Sequence, residues 1–368
     1  MSRSKPLTGL AALALGALLM SACSSTSGAG GGGKTVYMLL PNTTTVRFVT
    51  QDGPDFKAAL EKDLPGSKVI IQNAENDPQK QVQQVDTAIS AGAAAIVLVA
   101  ADPYIAGGAL QHAAQAKVPV LLYDHDARGG TAAAQVVFNS LSVGQNQGKD
   151  AATVLAAATA SAPKVIARIY GNQGDYGTTQ YKKGQDQYLQ PLISAGKVKV
   201  ACETYTSNWD PAKAQSEMEQ CLTKTNNRID AVVVMNDGTA GGVIAALKAQ
   251  GLAGKVPVIG GQDANLQAIQ YILLGLQYDT VYKPFKLQAA KAAELTVQLL
   301  KNGKLDNGAT DGYVDNGFMK PGVPAAFLPV QLLHKDTVDT VVKDGVWSWK
   351  QICTGAAAQT ATCKKEAS

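Results

Sequence analysis

The chain has 368 residues, of which 46% are hydrophobic and 17% charged, and its formal net charge at pH 7 is +4. A chain of this length and composition can bury a large core and is expected to form two domains. The small net charge excludes the strongly basic balance that is typical of nucleic-acid-binding proteins.

The first 22 residues have the pattern of a secretion signal. Arg3 and Lys5 precede an apolar run, Leu10–Met20, that is too short to span a bilayer as a mature helix. Small residues then precede Cys23, an order that resembles a bacterial lipoprotein signal. We therefore predict that residues 1–22 are removed and that Cys23 is lipidated, which would anchor the protein to the cell membrane outside the cytoplasm. Ordinary secretion is the alternative.

Residues 23–34 are rich in Ser and Gly and are expected to form a flexible tether. Within them begins a stretch, Gly28–Thr35, that matches the phosphate-loop pattern. That pattern requires a strand before the glycines and a helix after them. Here the tether comes first and the strand-like run Val36–Leu40 follows, so the match is accidental and no cofactor is expected.

The four cysteines that follow Cys23 are predicted to form two disulfides. Cys202 and Cys221 lie 19 residues apart, as do a strand and the following helix of one α/β unit, and Cys353 and Cys363 could close a short C-terminal loop. An oxidising compartment favours both bonds over free thiols. No Cys-x-x-Cys motif or Cys/His cluster occurs, so no metal site is expected.

Strand and helix patterns alternate along the chain from Val36 onwards. This repetition predicts an α/β fold with two parallel sheets covered by helices. The predicted strands are Val36–Leu40, Lys68–Gln72, Ala95–Ala100, Val118–Tyr123, Lys164–Tyr170, Val198–Thr204, Ala231–Met235, Val256–Gly261 and Asp279–Tyr282. The predicted helices are Pro54–Leu64, Pro78–Ala91, Ile105–Ala116, Thr239–Gln250, Leu266–Leu276 and Phe285–Asn302. The later segment Asp306–Val346 is expected to cross back between the domains.

Polar and aromatic side chains follow the ends of these predicted strands. Because ligands of open α/β sheets bind at the carboxyl ends of the strands, we expect these side chains to surround a small molecule. Carboxylates and amides pair with hydroxyl groups, and aromatic rings stack on sugars, so the set suits a neutral polyhydroxylated ligand better than a phosphorylated one. The residues are Thr44, Phe48, Asp124, His125, Asp175, Asn236, Asp263 and Lys283.

These segments resemble the periplasmic sugar-binding proteins of the ribose-binding type, a family with the type I periplasmic binding protein fold. They are most similar to its D-xylose-binding members. The resemblance covers about residues 36 to 345 and is densest in Asp230–Gly242, Ala249–Lys255, Gly261–Leu266 and Thr280–Pro284. It implies two Rossmann-like lobes that are joined by three hinge strands and close on one sugar.

The resemblance also implies roles for single residues. Asp124 would accept hydrogen bonds from sugar hydroxyls on the first lobe. Asn236, Asp263 and Lys283 would bind the sugar from the second lobe and the hinge. Trp209 matches a family tryptophan that stacks on the sugar ring.

Further positions match the family less closely. Asp175 and Phe48 fall where the family has a polar and an aromatic contact. His125 stands where an arginine is usual, which suggests that a guanidinium donor is missing. The loop with Thr44 replaces a more charged segment, and Tyr176-Gly177 replaces a pair of amides. These changes surround the expected pocket, so the identity of the sugar stays open.

Several of these residues could instead have purely structural roles. Asp237 lies between a strand and a helix, so capping that helix is its expected role, and the same alternative applies to Asp263. Trp209 and Phe48 could simply pack in the core. Lys283 could be a solvated hinge residue.

The resemblance further implies a division into lobes. We expect residues 35–138 and 284–313 to form the N-terminal lobe and residues 139–283 and 314–350 the C-terminal lobe. Residues 351–368 would form a tail.

We therefore predict a monomeric binding protein that captures a monosaccharide, xylose or a glucose-like aldose, and delivers it to the permease of an ABC importer. A sensor that presents the sugar to a chemoreceptor or a histidine kinase is the alternative. An enzyme is not expected. A glycoside hydrolase that used Asp124 and Asp263 would need one carboxyl with a raised pKa, and no catalytic motif appears in the chain.

Overall fold

The computed structural model describes residues 33–366. The predicted signal segment 1–22, the predicted lipidation site Cys23 and the tether before Gly33 lie outside the described residues. Within residues 33–366, none of the helices has both the length and the apolar composition that crossing a membrane requires.

Strands and helices alternate through the described part of the chain. The strands are β1 (Thr35–Leu40), β2 (Lys68–Asn73), β3 (Ala95–Leu98), β4 (Val120–Tyr123), β5 (Ala134–Phe138), β6 (Lys164–Tyr170), β7 (Val198–Tyr205), β8 (Ala231–Val233), β9 (Val258–Ile259), β10 (Gly261–Gln262), β11 (Thr280–Tyr282), β12 (Gly312–Val314), β13 (Val323–Leu328) and β14 (Gln331–Leu333). The helices are α1 (Gly53–Asp63), α2 (Pro78–Ser90), α3 (Pro103–Gln115), α4 (Ser140–Val154), α5 (Tyr176–Ser194), α6 (Pro211–Thr225), α7 (Asp237–Ala249), α8 (Leu266–Leu274), α9 (Phe285–Asn302), α10 (Thr340–Lys343), α11 (Trp349–Ile352) and α12 (Ala361–Glu366). A π-helical segment, Phe48–Asp52, leads into α1, and a 3₁₀ turn, Ser207–Trp209, precedes α6.

A seven-stranded sheet, in the order β12-β13-β5-β4-β3-β1-β2, is the centre of what we call the first lobe. All its pairs are parallel except β12 with β13. Successive residues of β1 enter different clusters: Val36 and Met38 pack with α1 and α9, whereas Tyr37 and Leu39 pack with α2 and α3. Both faces are therefore buried, as in other parallel sheets.

A four-stranded parallel sheet, in the order β7-β6-β8-β9, is the centre of what we call the second lobe. One face packs against α6 and α7, and the other against α4 and α5. Glycines let α4 and α5 approach closely, because a Cβ on Gly144 would lie 2.1 Å from the Tyr181 carbonyl oxygen. The predicted α/β class with helix-covered parallel sheets is confirmed.

A third, small sheet has the order β10-β11-β14. The predicted strand Val256–Gly261 divides at Gly260, so that β9 pairs in the second lobe and β10 in this small sheet. Gly260 has φ +97°, and a Cβ there would lie 2.5 Å from the Val234 carbonyl oxygen. Only glycine fits that backbone and that space without strain.

The chain passes between the lobes three times, after β5, after β11 and after β13. The last crossing comes later than expected. β13 pairs in parallel with β5, Ala325 opposite Gln135 and Leu328 opposite Phe138, so it extends the first-lobe sheet. Assigning all of residues 314–350 to the C-terminal lobe is therefore wrong for this strand, and the chain leaves the first lobe only after Leu328.

The C-terminal residues pack on α8 of the second lobe through an apolar cluster that includes Ile352 and Cys363. Cys353 is bonded to Cys363, and Cys202 to Cys221, so both predicted disulfides are confirmed. The C-terminal segment is thus packed on the second lobe, and its own disulfide closes a loop within it.

Candidate functional site

One cavity between the two lobes gathers most of the predicted site residues. The space between its atoms, including the mouth that opens to solvent, amounts to about 450 Å³. Its walls are loops at the carboxyl ends of strands in both large sheets and in the small sheet. Eight of the nine predicted contacts line it: Phe48, Asp124, His125, Asp175, Trp209, Asn236, Asp263 and Lys283.

Thr44 is the exception. It lines a smaller neighbouring cavity of about 260 Å³, which shares Arg47 and Asp263 with the main one. Its neighbour Thr45 lines both cavities. Thr44 thus lies beside the lining of the main cavity, and its role as a ligand contact stays a prediction.

Arg47 connects carboxylates from both lobes. Its Nε and Nη2 donate to the two carboxylate oxygens of Asp52 at 2.8 and 3.1 Å, a bidentate pair. Nη1 donates to Asp263 Oδ1 at 3.3 Å, and Nη2 lies 3.4 Å from Asp124 Oδ1. The Phe285 ring centre lies 4.1 Å from the guanidinium carbon. The suggestion that the site lacks a guanidinium is therefore wrong, since Arg47 supplies one from the first loop.

Lys283 lies opposite Arg47 and is 2% exposed. Its Nζ is 3.4 Å from Asp263 Oδ1 and 3.8 Å from Asp124 Oδ1. The Phe138 ring centre lies 5.6 Å away. The alternative of a solvated hinge residue is excluded, because this ammonium is buried among carboxylates and rings.

The two cations decide the ionisation of the cavity carboxylates. Burial alone would raise the pKa of Asp124, but Arg47 and Lys283 outweigh burial and hold that pKa well below its usual range. Burial would lower the pKa of Lys283, yet Asp124 and other anionic neighbours raise it above its usual value. Asp52 differs, because burial raises its pKa although it bonds Arg47 and accepts from the Tyr123 hydroxyl. Asp124 and Lys283 are thus both charged at neutral pH.

Trp209 forms a wall of the second lobe. Its indole lies against Gly171, where a Cβ would come within 1.9 Å of a ring carbon. The indole Nε1 donates to Asp175 Oδ2 at 2.9 Å. The backbone of Trp209 is left-handed at φ +54°, which costs about 1–3 kcal/mol for a residue other than glycine. The surrounding contacts therefore hold the indole at the cavity, and it packs with Tyr181 as well.

Asp175 occupies the N-cap position of α5, but its side chain does not cap the helix. One carboxylate oxygen accepts from Trp209 and the other accepts from Asn172 Nδ2 at 3.1 Å. Burial raises the pKa of Asp175. Asp175 thus positions the indole and also lines the cavity.

Asn236 caps α7 with one end of its amide and leaves the other end available. Its Oδ1 accepts from the Thr239 backbone N–H at 2.9 Å. Within residues 33–366, no hydrogen bond involves its Nδ2. The expected capping role of Asp237 is therefore wrong, since Asn236 is the N-cap and Asp237 is the first residue of the helix.

Asp237 instead holds together the turns behind the cavity. Its Oδ1 accepts from Thr280 Oγ1 at 2.8 Å and from Gln277 Nε2 at 2.9 Å, and its Oδ2 accepts from the Asn265 backbone N–H at 2.9 Å. Burial, together with the charge of Asp263, raises the pKa of Asp237 to about 8. Its oxygens are thus occupied by protein donors.

Asp263 lies on a strained turn that the C-terminal segment supports. Asp263 has φ +94° and Ala264 has φ +50°. The Ala264 carbonyl accepts from Trp347 Nε1 at 2.9 Å, and the Ala264 N–H donates to Thr280 Oγ1 at 3.3 Å. The N-cap of α8 is Asn265, so the alternative capping role of Asp263 is wrong.

His125 is oriented by the backbone of its own lobe. Its Nδ1 lies 2.8 Å from the Ala100 carbonyl oxygen, which only accepts, so Nδ1 carries the proton. Its Nε2 lies 3.8 Å from Asp124 Oδ2. The ring meets Phe48 edge-on at 5.5 Å. Phe48 is fully buried, so it both packs in the core and lines the cavity.

Several lining residues were not predicted. Asp126 and Gln262 stand next to or near predicted contacts at strand ends, so the same signal could have found them. Tyr181 comes from the middle of α5 and carries no strand-end signal. Arg47 follows the first strand by several residues, and only the folded loop brings it to the carboxylates.

The described residues contain no group of three or more His, Cys, Asp or Glu side chains arranged to hold a metal ion. The lining of the cavity offers hydrogen-bonding groups, two cations and aromatic rings. These groups can bind and orient a polar molecule without covalent chemistry.

Comparisons with known proteins agree with this geometry. A family model described as a periplasmic binding protein domain matches residues 36–305. The D-xylose-binding periplasmic protein of Haemophilus influenzae is 36% identical over 281 residues, which make up 76% of this chain and 81% of that protein. The protein of the same name from Escherichia coli is 34% identical over 76% of this chain and 82% of its own length. These matches confirm the resemblance that the strand-end segments carry.

A solved structure confirms the fold. An ABC transporter solute-binding protein from Clostridium phytofermentans, solved with bound β-D-glucose, matches with a TM-score of 0.77 at 23% identity. The match covers 87% of this chain and 100% of that chain. The two lobes joined by three crossings are thus the type I periplasmic binding protein fold.

Proposed function

This chain belongs to the periplasmic binding protein domain family, and from that premise we propose that it captures one monosaccharide, xylose or a glucose-like aldose. The observation that carries the proposal is the set of Arg47, Asp124, Asp263 and Lys283 facing one cavity. Charged donors and acceptors form hydrogen bonds with hydroxyls that are stronger than neutral ones.

The balance of charges supports a neutral ligand over an anionic one. Arg47 lies within 4 Å of three carboxylates and Lys283 within 4 Å of two, so their charge is already compensated by the protein. Asp126 and Asp175 add further carboxyl groups to the lining. A phosphate would meet more acids than free cations here.

The lobes would close on the sugar. In this structure Arg47 of the first lobe already contacts Asp263, which lies on the turn that follows β10 of the small sheet. A ligand that contacts both walls stabilises the closed arrangement by its difference in affinity for the two states. Closure would give the transporter a signal that sugar is bound.

The binding step is tested by calorimetry and thermal shift on the purified protein with xylose, glucose, galactose, arabinose, ribose and inositol. Xylose or glucose should raise the melting temperature most, because a ligand specific for the native state stabilises it. Calorimetry should give one site per chain. A flat response to all six sugars would overturn the proposal.

We propose no catalytic step. The curated relatives named above are binding proteins by their names. The lowered pKa of Asp124 is also unfavourable for a glycosidase acid, whose pKa must be raised. Mass analysis after incubation with the bound sugar should return it intact, and any product would contradict this.

Delivery to an ABC importer is the favoured next step, and presentation to a chemoreceptor or histidine kinase is the second candidate. Deleting the permease gene should abolish uptake of the bound sugar while leaving binding intact. The sensor would be favoured by two results together. Uptake would persist without the permease, and deletion of this protein would abolish a transcriptional or chemotactic response to the sugar.

Anchoring through Cys23 and a monomeric state complete the proposal. The order of a basic segment, an apolar run and small residues before Cys23 supports lipidation. A Cys23→Ser variant should move from the membrane fraction to the soluble extracytoplasmic fraction. Light scattering should give the mass of one chain with and without sugar.

A further inference from the structure

Asp126 lines the cavity but was not among the predicted ligand contacts. It follows β4 in the first lobe, two residues after Asp124, and is 2% exposed. Its side chain lines the cavity. One of its oxygens, Oδ1, accepts from the Tyr176 backbone N–H at 2.9 Å.

That hydrogen bond joins the lobes, because Tyr176 is the first residue of α5 in the second lobe. A carboxylate is favourable there, since the first N–H groups of a helix have no partner within the helix and the helix dipole attracts negative charge. The residue of α5 that stands at the N-cap position, Asp175, makes no capping bond of its own. Asp126 therefore caps a helix of the opposite lobe.

The second oxygen of Asp126 has no hydrogen-bond partner within residues 33–366, although it is buried. Arg128 Nε, which also has no hydrogen-bond partner within residues 33–366, lies 3.6 Å away. That distance makes an ion pair but is too long for a hydrogen bond. A buried carboxylate oxygen without a donor costs free energy. A donor that entered the cavity would remove this cost.

We propose that Asp126 is a specificity-determining residue, whose Oδ1 holds the second lobe through α5 and whose Oδ2 accepts a hydrogen bond from one hydroxyl of the bound sugar. The inference rests on the proposed sugar-binding function and adds a reason why the protein would discriminate between sugars. Sugars that place a hydroxyl at Oδ2 in the closed cleft are bound more tightly than those that do not.

The electrostatic surroundings support this assignment. Burial raises the pKa of Asp126 to about 6, with Asp175 adding to the rise, while the Tyr176 N–H, Arg128 and His125 act in the opposite direction. The carboxylate is thus short of donors in the closed cleft. A hydroxyl donor stabilises its ionised form and lowers its pKa.

The experiment measures the affinity of wild type and of the Asp126→Asn variant for the best-bound sugar and for its deoxy analogues. Each analogue lacks one hydroxyl. Asn keeps an oxygen for Tyr176 but replaces the second acceptor with a donor. We expect Asp126→Asn to lose about tenfold or more in affinity for the parent sugar. For the one analogue that lacks the matching hydroxyl, wild type and variant should bind alike.

The control is Asp77→Asn, which changes an N-cap aspartate of α2 within the first lobe, away from the lining of the cavity. It should leave every affinity unchanged. Equal losses by Asp126→Asn for the parent and all analogues, or no loss at all, would overturn the contact between Oδ2 and the sugar. A wild-type protein that binds no sugar would overturn the proposed function as well.

A second measurement needs no variant. Between pH 8 and pH 5 the affinity of wild type for the parent sugar should fall, because protonation removes the acceptor that the hydroxyl uses. The analogue that lacks this hydroxyl should show a weaker dependence, and pH effects that do not involve this hydroxyl cancel in the comparison. Identical pH profiles for parent and analogue would contradict the proposal.

Discussion

Two groups of buried aspartates lie within the same region of the molecule and behave differently. Asp124 and Asp263 line the cavity and contact Arg47 and Lys283. Asp237, behind the cavity, contacts only neutral donors, among them Gln277 and Thr280. The pKa of Asp124 is held low, whereas that of Asp237 is raised to about 8. Burial acts on both carboxyl groups, so the difference between Asp124 and Asp237 comes from the cations beside Asp124.

A second buried aspartate with a raised pKa and a structural role lies where the small sheet meets α4. Asp279 does not line the cavity, and its Oδ1 accepts from the Gly260 N–H at 2.6 Å. Burial and the neighbouring Asp150 raise its pKa well above the usual value, and Asp150 in turn lies 2.6 Å from His334 Nε2. These carboxyl groups connect the small sheet to α4 and serve the fold.

The largest expected effect separates the two groups by ligand affinity. Asp263→Asn removes a charged acceptor from the cavity, and we expect a loss of about 100-fold in sugar affinity, or about 3 kcal/mol. Asp237→Asn should change affinity by less than about fivefold, since it resembles the protonated acid already present. Calorimetry on both variants measures this difference. Equal losses of affinity would contradict the proposed distinction between Asp263 as a ligand contact and Asp237 as a structural residue.

The second prediction concerns stability. Asp237→Ala leaves Gln277, Thr280 and the Asn265 N–H without their acceptor, and we expect the free energy of unfolding to fall by about 3 kcal/mol. Urea unfolding without ligand measures it. Asp86→Asn, at a half-exposed pair with His112, is the control and should cost less than about 0.5 kcal/mol. A stable Asp237→Ala variant would refute the structural role.

The third prediction is a pH dependence with a defined sign. Because the pKa of Asp237 is about 8 in the folded protein and about 4 in an unfolded chain, the folded state holds a proton between these values that the unfolded state has released. The contribution of Asp237 to the free energy of unfolding should therefore fall as pH rises from about 4 to 8.

The difference in unfolding free energy between wild type and Asp237→Asn isolates this contribution. Asp124 should act in the opposite sense, since its pKa is lowered on folding, and its contribution should be lost as pH falls below about 4. If the Asp237 difference rises with pH, the raised pKa is wrong.

The smallest expected effect tests how the C-terminal segment supports the cavity. Trp347→Phe deletes the hydrogen bond to the Ala264 carbonyl, which should cost about 1 kcal/mol of stability and lower sugar affinity a few-fold as the Asp263 turn loosens. Trp349→Phe is the matched control, because no hydrogen bond of the Trp349 indole occurs within residues 33–366. Equal affinities for both variants would show that the turn holds its shape without Trp347.

Much of the fold followed from local patterns. Helix α9 spans Phe285–Asn302 as predicted, since it begins after Pro284 and ends before Gly303, which adopts φ +68°. Strand β6 also matches its predicted bounds, Lys164–Tyr170. In both, the apolar periodicity and the boundary residues point to the same structure.

Helices α4 and α5 were not among the predicted elements, and the reason is visible in their contact. They bury glycines and amides, including Gly144, Gln147, Gly184 and Gln185, in place of an apolar stripe. Gln185 Nε2 donates to Gln147 Oε1 at 2.9 Å. Such an interface gives no hydrophobic periodicity, so its signal is absent from the sequence.

The sequence by itself determined the alternation of strands and helices, the placement of polar residues at strand ends and the family. Only the tertiary structure decided which of those residues meet. Arg47 reaches Asp124 and Asp263 across 77 and 216 residues of chain, and left-handed backbone at Asp124, Trp209 and Asp263 turns their side chains toward one cavity. Periodicity reports local backbone preference, whereas these contacts depend on loops whose conformation is set by packing between distant segments.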